Sequence, residues 1–462
     1  MSNRPGRRAA LPDPARRALD PLVALAVVLP LLTLLLAATL GRPAAPVVSS
    51  APPDTTDLVQ ASLVCPAAPG RNSRVLVAAS GGASGEIDLD DGSGPTPLEL
   101  DGPAVRPAPG ADPMVLTARG DLAPGLVAAR VGGPGLAALA CPEPRAEQWF
   151  TGVAGDAEHS SVLELVNPDG GPAVADVTIL ASDGPVDVPR LRGVRVGAGS
   201  RTLLDLAEIV PRRDELAVRV LVSRGRLVTT ALDRIQAIGS GPSSADWLPA
   251  QAAPSTDSLL LGLPPGPGRR SLVVANPGDD ETRVQVQVAT GDSVFAPADA
   301  EEVVVPPRST VAVDLTRVVR RELRDGAVGL VLTSTSPVTA SLRSMAGGDL
   351  AHAVPAEPVT RASSIVPSGG SRLLLSSVER VGVAVVSSWD RRGNALPEKR
   401  VDLVPDAVVS HRLPRRAALV TVSTDGVPLQ GAVAATGGGA AVLPLREDRM
   451  AGLVPHVSPG LP

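Results

Sequence analysis

The chain predicts an all-β protein: an N-terminal transmembrane helix followed by about four tandem Ig-like β-sandwich units. Three observations lead there. Apolar runs are short, rich in Val, Leu and Thr, and separated by turns such as Asn167-Pro-Asp-Gly-Gly, Ser182-Asp-Gly-Pro and Arg224-Gly. Landmarks recur at a fixed spacing. Asn167-Pro168 returns as Asn276-Pro277 and Asp205-Leu206 as Asp314-Leu315, both 109 residues later; the run opening at Ala217 returns at Ala327, 110 later. Beyond residue 40, no long segment sustains a helical period.

The elements follow in chain order. Residues 1–20 carry Arg4, Arg7, Arg8, Arg16 and Arg17 against Asp13 and Asp20. Residues 21–40 hold no charge, and at 1.5 Å per residue they reach roughly 30 Å, the thickness of a hydrocarbon core. Arginines on the amino side predict a cytoplasmic N-terminus and an exported remainder. A cleaved signal peptide is the competing reading, although Pro46 after Ala44-Ala45 suits cleavage poorly. Residues 41–60 read as a Pro- and Ser-rich linker. Four β units are expected over 61–145, 146–252, 253–358 and 359–455. About seven short strands per 100 residues is the pattern of an Ig-like two-sheet sandwich. A β-propeller with two blades per repeat is the alternative.

Cys65 and Cys141 are the only cysteines and bracket the first unit. In an oxidising compartment they read as one disulfide, with two unpaired thiols as the other possibility.

The order Trp149-Phe150, a strand ending Asn-Pro, a Val-rich strand reaching Asp-Gly, and a closing strand pair resembles a repeat of exported bacterial proteins. The overall layout is similar to a family of uncharacterised actinobacterial proteins with one N-terminal membrane segment. That resemblance implies a β-rich exported repeat and brings no activity with it.

Composition narrows function mainly by exclusion. Net charge is −5 over 462 residues, which is small for this length and suggests no polyanionic partner. The single lysine, Lys399, follows Glu398, so no P-loop exists, and Leu396 three positions earlier removes a Ser-x-x-Lys site. His159, His352, His411 and His456 are isolated in sequence and are expected to be surface residues or satisfied neighbours. Glu86, Asp88, Asp90 and Asp91 form the densest acidic cluster, but Gly92 interrupts EF-hand spacing, and a solvated loop is expected. Gly197 to Ser200 reads as an inter-strand turn, because its repeat counterpart contains Pro306-Pro307. Asp205 and Asp314 are expected to cap short helical turns.

The remaining candidate is a basic concentration in the fourth unit: Arg391, Arg392, Lys399, Arg400, Arg412, Arg415 and Arg416. Five aromatics in the whole chain argue against nucleic acid, which needs stacking platforms. The expectation is a membrane-anchored extracytoplasmic structural or interaction protein of the cell envelope, with no enzyme activity, cofactor or metal. Its expected partners are the cytoplasmic membrane, through residues 21–40, and envelope proteins. The alternative is a binding module for anionic cell-wall polymers through Arg391, Arg392, Arg400, Arg412, Arg415 and Arg416.

Overall fold

The computed structural model describes residues 21–40 and 54–454, apart from 134, 237–242, 252 and 299. The basic segment 1–20, most of the linker (41–53) and His456 lie outside the described residues. Pro21–Leu40 is one uncharged helix of 20 residues with Pro30 inside. Counted over the described residues, no helix is long and apolar enough to cross a membrane. The β-rich body, Thr56–Gly452, forms one compact unit.

Strands form where β-branched residues alternate with polar ones. In Thr282–Ala289, Val284, Val286 and Val288 are buried while Arg283 and Gln285 face solvent. Eight strands make up the first stretch of the body: Gln60–Cys65, Arg74–Ala79, Ser84–Asp90, Thr96–Asp101, Arg106–Ala108, Met114–Arg119, Leu126–Val131 and Ala138–Ala140. They lie in two antiparallel sheets, one ordered first-sixth-third-fourth and the other fifth-second-seventh-eighth. The same order recurs in the stretches beginning at Glu147, Ser255 and Arg361, where the second and third each add one short strand, Val194–Val196 and Val303–Val305, that pairs the third strand and is left out of the numbering. In the second, Phe150, Val177 and Val218 of one sheet share a core with Leu163, Leu165 and Ala231 of the other. Among the described residues no sheet closes into a barrel.

This strand order differs from the immunoglobulin one, where the first, second, fifth and fourth strands share a sheet. Here the first strand pairs the sixth and the second pairs the seventh. The third stretch shows how the sheets connect. Gly329–Ala346 is one strand of 18 residues serving as both sixth and seventh. Its first part pairs Thr282–Ala289, and its last part pairs Arg270–Asn276. Pro337, which has no N–H to give a ladder, lies between the two pairings.

Asn167 and Asn276 explain one of the repeated sequence landmarks. Both are fully buried. Asn167 Nδ2 donates to the carbonyls of Gly171 (2.7 Å) and Gly197 (2.9 Å), while its Oδ1 accepts from Asp169 N (3.0 Å). Asn276 Nδ2 donates to Asp280 O (2.7 Å) and Pro306 O (3.1 Å), and its Oδ1 accepts from Gly278 N (2.9 Å). The amide ties the turn after the second strand to the loop before the fifth, satisfying backbone groups that burial would otherwise strand.

The four stretches pack in a closed cycle. First and second meet through Val64 against Val166 and Val228, and through Leu139 against Trp247. Second and third meet through Trp149 and Ala275. Third and fourth meet through Leu259 and Leu261 against Leu374 and Val442. Fourth and first share a continuous core, in which Leu76, Val127 and Ala129 join Leu373, Leu375 and Leu419.

The four eighth strands converge at the centre of this cycle, where Asp349 holds all four stretches. Its Oδ2 accepts from Leu136 N (3.0 Å) in the first and Ala440 N (2.8 Å) in the fourth; Oδ1 accepts from Ser244 Oγ (2.8 Å) in the second. Gly135 (φ +75°) and Gly439 (φ +154°) make room, since a Cβ on either would lie 2.0 and 2.2 Å from the Asp349 carboxylate oxygens. Beside it, buried Asp246 accepts from Ala138 N (3.0 Å) and Trp247 N (2.9 Å). Burial pushes its carboxyl well above the usual range, and the Asp349 and Asp233 carboxylates add to the shift.

Cys65 and Cys141 are disulfide-bonded across a separation of 76 residues. The bond joins the first strand to the segment after the eighth. Non-reducing peptide mapping should recover the two cysteine peptides linked, and Cys141→Ser should cost roughly 4 kcal/mol in the chain-entropy account. Asp349→Ala leaves the buried Ala440 N–H, the half-buried Leu136 N–H and the Ser244 hydroxyl without their acceptor. Its unfolding midpoint in urea should fall, with a loss of roughly 3 kcal/mol. Gly439→Ala should be destabilising for the converse reason, because its methyl would displace the same carboxylate.

Candidate functional site

Where the second and third stretches meet, titratable groups are buried together. His159 opens the strand His159–Val166, and Asp233 lies on the neighbouring strand Val228–Gln236, opposite Ser161. Asp214 and Glu215 come from the loop before Leu216–Arg224. Arg343 and His352 are cross-strand partners in the third stretch. The body brings these six side chains together from positions up to 193 residues apart, His159 to His352.

The geometry is that of an ion network. His159 Nδ1 meets Asp214 Oδ1 at 2.6 Å, and Nε2 meets Asp233 Oδ1 at 2.9 Å. Arg343 pairs with Glu215 and places Nη1 3.1 and 3.2 Å from the two imidazole nitrogens. Ser161 Oγ donates to Asp233 Oδ1 at 2.6 Å and accepts from Ala154 N at 2.9 Å. His352 Nε2 lies 3.2 Å from Asp233 Oδ2, yet neither of its ring nitrogens makes an aligned hydrogen bond. Burial works against a charge on His159, but the Asp233 carboxylate and the bonds to Asp214 and Asp233 outweigh it and push its pKa up to about 9. Fully buried Asp233 is held well below the usual carboxylate range: burial opposes ionisation and the His159 charge and hydrogen bond prevail.

This arrangement suits cohesion better than catalysis. Both imidazole nitrogens face carboxylates, so the ring has no free lone pair to act as a base. The Ser161 hydroxyl gives its proton to Asp233 and not to the imidazole, so the hydrogen bond of a nucleophile–base pair is missing. His159, Asp214 and Glu215 each offer one ligand atom within 4.8 Å of the others, a spacing compatible with a metal ion. The Arg343 guanidinium stands against those same atoms, and this donor set fits it rather than a second cation.

The basic side chains singled out in sequence are all exposed. Asp390 pairs with Ala417, so Arg391–Arg392 and Arg415–Arg416 stand at one end of the same sheet. Arg400 lies on the edge strand Lys399–Leu403, and Arg412 on the edge strand Val409–Arg412. None of the seven, Lys399 included, has a carboxylate within ion-pair distance among the described residues. Burial, together with nearby Lys399, depresses the pKa of His411.

Other sequence candidates fall into local roles. Asp90 accepts from Gly92 N (2.8 Å) and Asp91 from Ser93 N (3.1 Å), so the acidic cluster closes its own turn. Asp205 accepts from Ala207 N and Asp314 from Thr316 N, both at 2.9 Å, each capping the turn that follows. Sequence reasoning treated His159 and His352 as isolated and passed over Asp233, Arg343 and Asp349. A charged residue within an otherwise strand-like run, as in Val228–Gln236 and Asp349–Ala353, is the signal that marks them.

A model of a family of unknown function, DUF5719, matches residues 104–414, more than half of the chain. No curated protein matches it.

The network makes a pH prediction. His159 is held above its unfolded value near 6.5, so its contribution is complete below about pH 6.5 and is lost as pH rises through about 9. Asp233 is depressed, so its share is complete above about pH 4 and is lost in stronger acid. The stability difference between wild type and His159→Gln should therefore be greatest between pH 4 and 6.5, at roughly 3 kcal/mol, and shrink by pH 10. Thermal unfolding across that range measures it.

Proposed function

We propose that this chain, which belongs to the family of unknown function DUF5719, is a membrane-anchored, extracytoplasmic interaction protein of the cell envelope with no catalytic role. One observation carries the reading: the buried titratable groups bind the four sandwiches to one another, as Asp349 does at the centre and the His159 network does between the second and third. A body fixed in this way presents constant surfaces to a partner. The anchor is supported by the uncharged 20-residue helix Pro21–Leu40 and by the arginines before it. An exported body is supported by the Cys65–Cys141 disulfide, a bond rare in reducing compartments.

A second reading, binding to an anionic cell-wall polymer, draws support from the unpaired basic side chains of the fourth stretch. Residues 359–455 hold twelve basic and eight acidic side chains, although the whole chain is net negative. Arginine offers planar paired donors suited to phosphate and carboxylate.

Each reading has its own test. A reporter active only after export should work when fused after residue 60, and an active cytoplasmic reporter there would remove the anchor. Cross-linking in intact cells should join the body to envelope proteins. For the second reading, binding of the chain to anionic cell-wall polymer should fall steeply with salt, since exposed charge contacts are screened within about 8 Å at physiological ionic strength. Replacing Arg391, Arg392, Arg415 and Arg416 by Ser should weaken that binding while leaving the unfolding midpoint nearly unchanged.

A further inference from the structure

Between the third and fourth stretches lies a cleft of about 420 Å³. That volume falls in the range of small-ligand pockets, about 300–1,000 Å³. Leu263, Leu323 and Val328 line one wall; Leu374, Ala434 and Val442 line the other. The walls close on each other at Gly262, where a Cβ would lie 2.5 Å from a Val442 methyl.

The fourth-stretch wall is the outer face of a sheet. Leu373 and Leu375 point into the shared core, so Arg372 and Leu374 point outward into the cleft. Leu374 stands opposite Ser410 and Ala432, and Arg372 stands opposite Arg412 and Ala434. Two arginines are thus direct cross-strand neighbours on one face, an arrangement that repels unless an anion lies between them. Among the described residues neither is in an ion pair, and Arg372 Nη1 donates to Ser410 Oγ at 2.9 Å. The cleft's acidic side chains, Asp292 and Asp325, belong to the opposite wall.

We propose that this cleft binds a free single-chain fatty acid, with its hydrocarbon against Leu263, Leu374, Ala434 and Val442 and its carboxylate between Arg372 and Arg412. Apolar walls match the chain; Arg372 lines the cleft, Arg412 is its cross-strand neighbour just beyond the lining, and the two supply the counter-charge at one end. Asp292 and Asp325 repel a carboxylate on their own side and so set the ligand's direction.

The test uses the full chain and a palmitate carrying a photoreactive diazirine near its chain end, with labelled positions mapped by peptide mass spectrometry. Label should concentrate in residues 262–265 and 434–442. Loss of a charge-assisted contact is worth about tenfold in affinity, so Arg372→Ser with Arg412→Ser should lower labelling by about that factor. Both side chains are exposed, and the unfolding midpoint should hardly move. Ala434→Phe fills the cleft while keeping the arginines, and it should also abolish labelling. Unlabelled palmitate should compete, and hexadecanol, which has no charge, should compete poorly. Label mapped elsewhere, variants labelled like wild type, or equal competition by hexadecanol would each overturn the proposal. Arg391, Arg392, Arg415 and Arg416 remain in place throughout, so the polymer-binding reading is tested separately.

Discussion

The carboxylate of Asp349 is the contact on which the body depends. A buried anion is costly unless its lone pairs are used, and here two backbone N–H groups and a hydroxyl from three other stretches use them. Because those donors come from every other stretch, their positions are coupled through one side chain. Gly135 and Gly439 are the complement of this requirement, since any larger residue would occupy the space the carboxylate needs. The same centre carries Asp246, whose raised pKa follows from burial beside Asp349 and Asp233.

A cycle of sandwiches differs from a string of them in how surface is buried. In a string, each unit would keep its own core and expose its outer faces. Here Leu76 and Val127 of the first stretch lie in one core with Leu373 and Leu419 of the fourth. Closing the cycle therefore buries apolar area contributed by both ends of the body, and the disulfide holds the first stretch closed at its two ends. The interface between the second and third stretches adds a charged network, Arg343, His159, Asp233 and Asp214, to its apolar contact at Trp149 and Ala275. Such a junction resists shear through directional bonds, whereas the apolar junctions resist separation by keeping surface from water. The cleft beside Leu374 is where the apolar contact between the third and fourth stretches is incomplete.

Much of this fold was legible from repetition. Asn167 and Asn276 mark one register because the same four-residue turn and the same carbonyls need a buried amide. Alternation in Thr282–Ala289 identifies a half-buried strand without knowledge of its partner. Strand order was not legible, because the strand density that suggested an Ig-like sandwich does not say which strands pair. Density reports how many short strands exist, while pairing depends on where each crossover leads, as at Pro337 within Gly329–Ala346. The candidate site was less legible still. His159 and His352 have no neighbours in sequence that suggest a network, because their shared partner Asp233 lies on a different strand from either.

By itself the sequence determined the all-β class, the repeat register, the apolar segment 21–40 and the one cysteine pair available for a disulfide. Each is a local property, set by side-chain type, period or count. Only the tertiary structure decided that the stretches close into a cycle, that Asp349 joins all four, and that Arg372 faces Arg412 beside an apolar cleft. Those facts depend on contacts between residues far apart in the chain, and the side-chain periods that encode strands carry no information about which distant surfaces meet.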